Sequence, residues 1–426
     1  MRPRPLTALC LALLAGCASL PGDAPGKTIL RIATWGGASE EDEFTRTIKR
    51  LWRDFEAENP GVEIREEKIP GSQEYVAKML LSNVAGTEPD IMSLDASSAA
   101  VFINNNVLAD LTPYIEQDPE FSLEDYWPNV VGIARRGSSL YAIPGDFTPM
   151  VVYYNKRLFD RAGVPYPKDD WTFDDFVRTA RAVQTPQSGK GAKWGFKFDN
   201  WMPGWIIWVW AAGGDVLSPD GSKAAGYLDS PRTVAAVKFI SDLVNRYGVA
   251  PSLSQVAAGG VNPFLNGDAA MEVAGHWEMV GIKNSTKLKV EDIGIAPWPS
   301  ETGRKVTVMY EVGFAMSRRA KNPDLAWKLI KFLTSRRYQS VYQQTGIAVA
   351  ARKDVARERA KGNQLEQKFL EIVPSARPPW GASVEGYDFV ETEGPKMMNR
   401  VLNREVTPEQ ALREMVRRVD GYFKIK

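Results

Sequence analysis

Four tryptophans crowd into ten residues of the segment Asn200–Asp215, NWMPGWIIWVWAAGGD, and they carry the most distinctive chemistry in the chain. An indole offers a broad apolar face with one N–H donor at its edge, which suits stacking on the C–H face of a sugar ring. Asp, Glu, Asn and Gln supply the directed hydrogen bonds that hydroxyl groups require. Trp201 and Trp205 stand four residues apart and share a helix face if the helix begins early in the segment. Trp208 and Trp210 read as core. Catalytic alternatives are thin. His276 is the only histidine, so a Ser-His-Asp arrangement could arise only through it, and no G-x-S-x-G elbow accompanies it. It reads as a satisfied structural histidine. No H-E-x-x-H, EF-hand loop or G-x-x-x-x-G-K-[ST] phosphate loop occurs. The expectation is therefore no catalytic residue, no metal and no cofactor. A glycosidase needs only two carboxylates, and the 52 acidic residues leave that class open.

Those side chains must be positioned by a sizeable scaffold. At 426 residues the chain exceeds a single ordinary domain, so two are expected. Lys+Arg 53 against Asp+Glu 52 leaves a net charge of +1, which gives no basic stripe for nucleic acid. Arg2 and Arg4 precede an eleven-residue apolar run, Leu6–Gly16. That run is too short to span a bilayer as a mature helix and suits a secretory signal. It ends in Leu14-Ala15-Gly16-Cys17, which looks like the lipobox of bacterial lipoproteins. In that reading residues 1–16 are removed, Cys17 is lipidated, and 17–27 form a flexible tether. The protein is then exported and anchored by lipid to a cell membrane, on its periplasmic or extracellular face. Cys10 leaves with the signal, so the mature domains hold no disulfide.

Beyond the tether, strand and helix patterns alternate. Ile29–Thr34, Val62–Glu66 and Asp90–Leu94 read as strands. A helix from Ser39, with Asp42 as its capping partner, and one over Tyr75–Val84 lie between them. This βαβαβ order implies a parallel sheet covered by helices. Further on, Thr172 with Asp175, Pro231, Asn322-Pro323 and Thr407-Pro408-Glu409-Gln410 mark helix starts. Ile293–Ala296 and Val306–Ser317 are strand-like.

Several separated motifs then carry a resemblance over nearly all of residues 28–420. They include ATWGG, FEAENPGVEI, EPDIMSLDASSAAVF, YAIPGDFTPMVVYYNKRLFDRAGV, NGDAAMEVAGHWEM and VGFAMSRRAKNPDLAWKLIKFLTS. Together they resemble the bacterial extracellular solute-binding proteins of sugar ABC importers, the group that includes maltose-binding protein. The resemblance implies a two-lobed α/β fold that closes on ligand, each lobe a mostly parallel sheet flanked by helices, joined by several hinge crossings. It places one lobe at 28–148 plus 297–337 and the other at 149–296 plus 338–426. Carried onto matching positions, it implies ligand-facing roles for Trp35, Gln73, Tyr75, Asp95, Ser97 and Asp146. In the later part of the chain it implies them for Trp201, Trp205, Trp277, Tyr310, Glu311 and Trp380. His276 departs from the common G-P-W form of the G-x-W motif. The implied partners are a carbohydrate and membrane-embedded permease subunits, with the chain a monomer. A non-sugar polar solute such as glycerol phosphate, and less readily a glycan-cleaving enzyme, remain as alternatives.

Overall fold

The computed structural model describes residues 26–35, 43–184, 194–259 and 262–425, the side chains of residues 35, 43 and 44 excepted. The signal segment, Cys17, most of the tether and the expected helix start at Ser39 lie outside these residues. The first three strands follow the apolar runs: β1 (Thr28–Trp35), β2 (Val62–Ile69) and β3 (Ile91–Asp95). In β1, Leu30, Ile32 and Ala33 are fully buried, as expected of a strand covered on both faces. β2 outlasts its expected span because it is an edge strand. Its charged run Arg65-Glu66-Glu67-Lys68 keeps one side in solvent, which also discourages pairing with another chain.

Four more strands lie across the middle of the chain: β4 (Ile143–Pro149), β5 (Val151–Asn155), β6 (Met271–Ala274) and β7 (Ile293–Ala296). Then come β8 (Thr307–Met316), β9 (Val349–Ala350) and β10 (Ala376–Arg377). Apart from a short hairpin that pairs 135–136 with 139–140, the strands form two separate sheets. The larger runs β9-β4-β8-β3-β1-β2, with β10 beside β8, and the smaller runs β6-β5-β7. β2, β1 and β3 pair in parallel, as the βαβαβ pattern requires. Beyond that unit β8 and β10 also pair in parallel, but the larger sheet is mixed and the smaller antiparallel, so the expected mostly parallel pairing holds only in part. β8 runs antiparallel to β3 and β4, and β5 antiparallel to both its neighbours. The physical reason is connectivity. The chain crosses from one sheet to the other and returns, so these strands are not linked by right-handed helical crossovers within one sheet.

Each sheet has its own core, so the molecule is two-lobed. The first core gathers β1–β3 with the helices Glu43–Glu58 and Pro323–Leu333. The second gathers Phe173–Val183, Met202–Ala211 and the C-terminal helices. A third cluster straddles both sheets: Phe147 and Met309 of the larger meet Val151 and Tyr153 of the smaller. Val152 and Tyr154 alternate onto the other face of β5 and enter the second core. Only Met150 separates β4 from β5. Its N–H donates to Val308 at 2.9 Å and its carbonyl accepts from the Thr307 hydroxyl at 2.6 Å, so two crossings run side by side. The expected last boundary at 337/338 needs correction. Tyr338 and Ala351 join the first core and β9 extends its sheet, because Tyr338 packs its ring against Phe314 and Phe332. The final return to the second lobe therefore lies beyond Ala351.

Helix starts sit where the caps place them. The Thr172 hydroxyl accepts from Asp175 N–H at 3.1 Å while Asp175 accepts from Thr172 N–H at 2.9 Å. Thr407 and Gln410 make the same reciprocal pair. Trp208 is core as expected, ringed by Phe173, Phe176 and Trp298 at centroid distances of 5.0, 5.1 and 4.7 Å. No described helix is long and apolar enough to cross a membrane.

Candidate functional site

Between the lobes lies a cavity of about 1560 Å³, lined from both sides. Its first-lobe floor is built at the meeting of β3, β8 and β4. In register, Val312 of β8 opposes Asp95 on one side and Asp146 on the other, and Glu311 immediately precedes it. The pairing of β8 with β4 shifts between Val312 and Gly313, which leaves Gly145 bulged. A β-carbon at Gly145 would stand 2.7 Å from the Phe314 ring, and one at Gly313 would stand 2.6 Å from Glu311 Oε1. Glycine makes room for the Phe314 ring at the first place and for the buried Glu311 carboxyl at the second.

The three carboxyls repel one another and lack cations. Burial lifts Asp146 to about 7, nearby Asp95 adds to the lift, and hydrogen bonds from the Tyr342 hydroxyl and Val312 N–H oppose it. Burial holds Glu311 well above the usual carboxylate range, with Asp146 and Asp95 adding. Its Oε2 is buried without a hydrogen-bond partner. Burial also raises Asp95, against hydrogen bonds from Ser97, whose N–H donates at 2.8 Å. Among the described residues no Lys or Arg forms an ion pair with any of the three. Such groups are costly to leave unmatched, which marks the floor as a place for a ligand.

The second-lobe wall is aromatic and charged. Trp201 lies at the rim, 38% exposed, with Trp277 at 6.1 Å and 70° to it and Tyr310 of β8 at 6.3 Å and 16°. Gly275 explains the G-x-W motif physically. A β-carbon there would fall 2.3 Å from the Trp277 ring, so glycine lets the indole fold back over the end of β6. Deeper, Lys197 Nζ meets Asp199 at 2.7 Å and Glu272 at 3.5 Å, and Asn262 donates to Glu272 and Glu278 at 3.3 Å each. Burial raises both glutamates against the pull of Lys197.

The structure gathers Asp95, Ser97, Asp146, Trp201, Trp277, Tyr310 and Glu311 around this cavity. It sets four expected residues apart, and each is a correction. Tyr75 is buried in the first core, its hydroxyl donating to the Ser93 carbonyl at 2.8 Å, because the helix Ser72–Ala85 turns it inward. Gln73 is exposed and donates to the Thr392 hydroxyl at 3.4 Å, outside the cavity. Trp205 is fully buried in the second core, packed against the backbone at Gly394. Met202-Pro203 delays the helix so that Trp201 stays outside it as the N-cap, and the shared helix face never forms. Trp380 donates to Asp215 at 2.8 Å and lies under Arg377, with Trp210 sharing both partners. The Trp35 side chain lies outside the description. His276 is structural: Nδ1 meets the Gly346 carbonyl at 2.8 Å, and Nε2 meets both Glu366 oxygens at 3.1 Å. Sequence reasoning missed Lys197, Asp199, Glu272 and Tyr342. Glu272 had a signal, a lone carboxylate inside the apolar strand Met271–Ala274.

Two lobes joined by adjacent strand crossings, around a deep cavity walled by indoles and carboxyls, define a solute-binding clamp. Residues 38–340 match the sequence profile of the bacterial extracellular solute-binding proteins, and the chain belongs to that family. A Listeria monocytogenes ABC substrate-binding protein, solved in complex with cycloalternan, superposes with a TM-score of 0.81 at 22% identity, covering 94% of this chain and 100% of that one. The multiple sugar-binding protein of Streptococcus mutans is 23% identical over 339 residues, 74% of each chain. The sn-glycerol-3-phosphate-binding periplasmic protein of Escherichia coli K12 is 22% identical over 314 residues, 71% of this chain and 67% of that one.

Proposed function

We propose that this chain is the carbohydrate-binding component of an ABC importer. It captures a mono- or oligosaccharide between its lobes and delivers it to permease subunits while held at the membrane by lipid on Cys17. The observation that carries this reading is the composition of one cavity: indole and phenol faces of Trp201, Trp277 and Tyr310 beside the carboxyls of Asp95, Asp146 and Glu311. Aromatic faces stack on pyranose rings and carboxyls accept from hydroxyls. Contacts from both lobes hold only when the clamp is shut, so ligand favours the closed state by its differential affinity. We read the chain as a monomeric carrier without turnover, with lobe divisions at 148/149, at 296/297 and beyond Ala351.

Arg46 and Lys68 line the same cavity, which gives a phosphate-bearing solute a second, weaker reading. The acidic floor opposes it. Titrating intrinsic tryptophan fluorescence with mono-, di- and oligosaccharides and with glycerol phosphate separates the two. A saturable response to saccharides is expected. A response to glycerol phosphate alone would replace the carbohydrate reading, and shortened oligosaccharide products would replace the carrier with an enzyme.

A further inference from the structure

We propose that His276 is a positioning residue of the clamp, a buried and doubly protonated ring that ties the loop carrying Trp277 to the segment 343–348. Two walls of the cavity are thereby held in register. The inference stands on the two-lobed solute-binding fold and is independent of which solute is bound. His276 is fully buried and does not line the cavity, whereas Trp277 beside it and Gln344, Thr345, Ile347 and Ala348 across from it do. Trp277 packs against the second core, and 343–348 lies between Tyr342 and Ala351, which pack with the first, so the tie crosses between lobes.

The charge of the ring follows from its partners. Nδ1 meets the Gly346 carbonyl at 2.8 Å, and Nε2 meets both oxygens of Glu366 at 3.1 Å. A carbonyl and a carboxylate only accept, so each ring nitrogen must carry a proton. A neutral ring would aim a lone pair at one of them. The proton to answer that lone pair would have to sit on Glu366, whose Oε1 also accepts from Arg359 Nε at 2.5 Å, and a guanidinium favours the ionised carboxyl. Glu366 is thus one carboxylate shared by two cations. Arg359 also donates to the Gln343 carbonyl, so the segment is gripped at Gln343 by the guanidinium and at Gly346 by the imidazolium. The backbone of His276 adds a third tie, its N–H donating to the Thr148 hydroxyl of β4 at 2.6 Å. The charged and titratable groups around ring and segment are Glu366 and Arg359, Lys283 and Glu278 on the helix after Trp277, and Tyr153 and Glu272 on β5 and β6. Lys283 donates to the Gln344 carbonyl at 3.5 Å and Tyr153 to the Gly275 carbonyl at 3.0 Å, so neither competes for the ring nitrogens. When the ring gives up one proton, the one that remains serves the charged acceptor Glu366, and the bond to Gly346 is lost.

The test joins nitrogen NMR of the histidine ring to hydrogen exchange of the intact, unliganded protein over a rising pH series. His276 is the only histidine, so the spectrum reports this ring alone. Both nitrogens are expected to be protonated at pH 7. As one proton is lost, the amides of Gly346 and Ile347, and with them those of His276 and Met279, should exchange at least about tenfold faster after correction for the intrinsic effect of pH. In His276→Gln the same acceleration is expected already at pH 7, with no further step on raising the pH, a loss of pH response that a merely space-filling ring would not produce. A neutral ring at pH 7 would overturn the proposal, as would proton loss that leaves both segments exchanging as before. Should the variant fail to fold, the pH series on the unsubstituted protein decides. Should the ring keep both protons throughout the folded range, the variant decides, and unchanged exchange at both segments would then overturn the tie.

Discussion

Trp277 and Trp205 look alike in sequence and have opposite fates, which makes them a useful pair. Trp277 lines the cavity, whereas Trp205 is sealed in the second core. Trp277→Ala is therefore expected to weaken ligand binding by about 1–2 kcal/mol, roughly 5- to 30-fold in Kd, with little change in melting temperature. Trp205→Ala should cost about 3–5 kcal/mol of stability, read as a denaturation midpoint. Acidic groups divide in the same way. Burial alone would raise Glu366, yet the hydrogen bonds and charges of His276 and Arg359 hold it below the usual carboxylate range. Its stabilisation is thus present above the ordinary carboxylate pKa and lost as pH falls through the lower folded value. Glu366→Gln should destabilise the protein near neutral pH by about 1–3 kcal/mol, since it strips the counterion from part-buried Arg359 and a hydrogen-bond partner from buried His276. Asp146 has the opposite sign. Its folded pKa of about 7 exceeds the unfolded one, so its contribution to stability falls as pH rises between about 4 and 7. Asp146→Asn should accordingly raise stability at pH 8 while weakening ligand binding, a trade visible by running melting curves and titrations on the same preparation. Residue types announced the aromatic and acidic chemistry, but not which copies faced the cavity. Trp201 and Trp205 were separated by a two-residue delay in the helix start, which helical spacing could not show.

Caps, proline starts and apolar periods announced most helices and the parallel unit β2-β1-β3, because those signals are local. Strand sense in β4–β8 was hidden, since it depends on where the chain crosses between lobes rather than on any run of residues. Glycines record the tightest of these approaches. A β-carbon at Gly381 would stand 2.0 Å from the Ser97 carbonyl, so the loop Trp380–Ala382 presses on the turn that orients Asp95. Gly381→Ala is expected to cost about 1–3 kcal/mol in stability and to weaken ligand binding together with it. Unchanged values on both measurements would remove this loop from the account of the site.

Across the whole molecule, length and motif order were enough to expect two lobes, while the last boundary moved because a tyrosine ring, not a charge or turn signal, tied residues 338–351 to the first core. The central claim is that one ligand is held by both lobes at once. Hydrogen exchange of the backbone amides, with and without a saturating saccharide, tests it most directly. Slowed exchange is expected at residues 93–97 and 310–313 of the first lobe and, in the same sample, at 199–201 and 275–278 of the second. Slowing confined to one lobe, with the other exchanging as in the free protein, would contradict it.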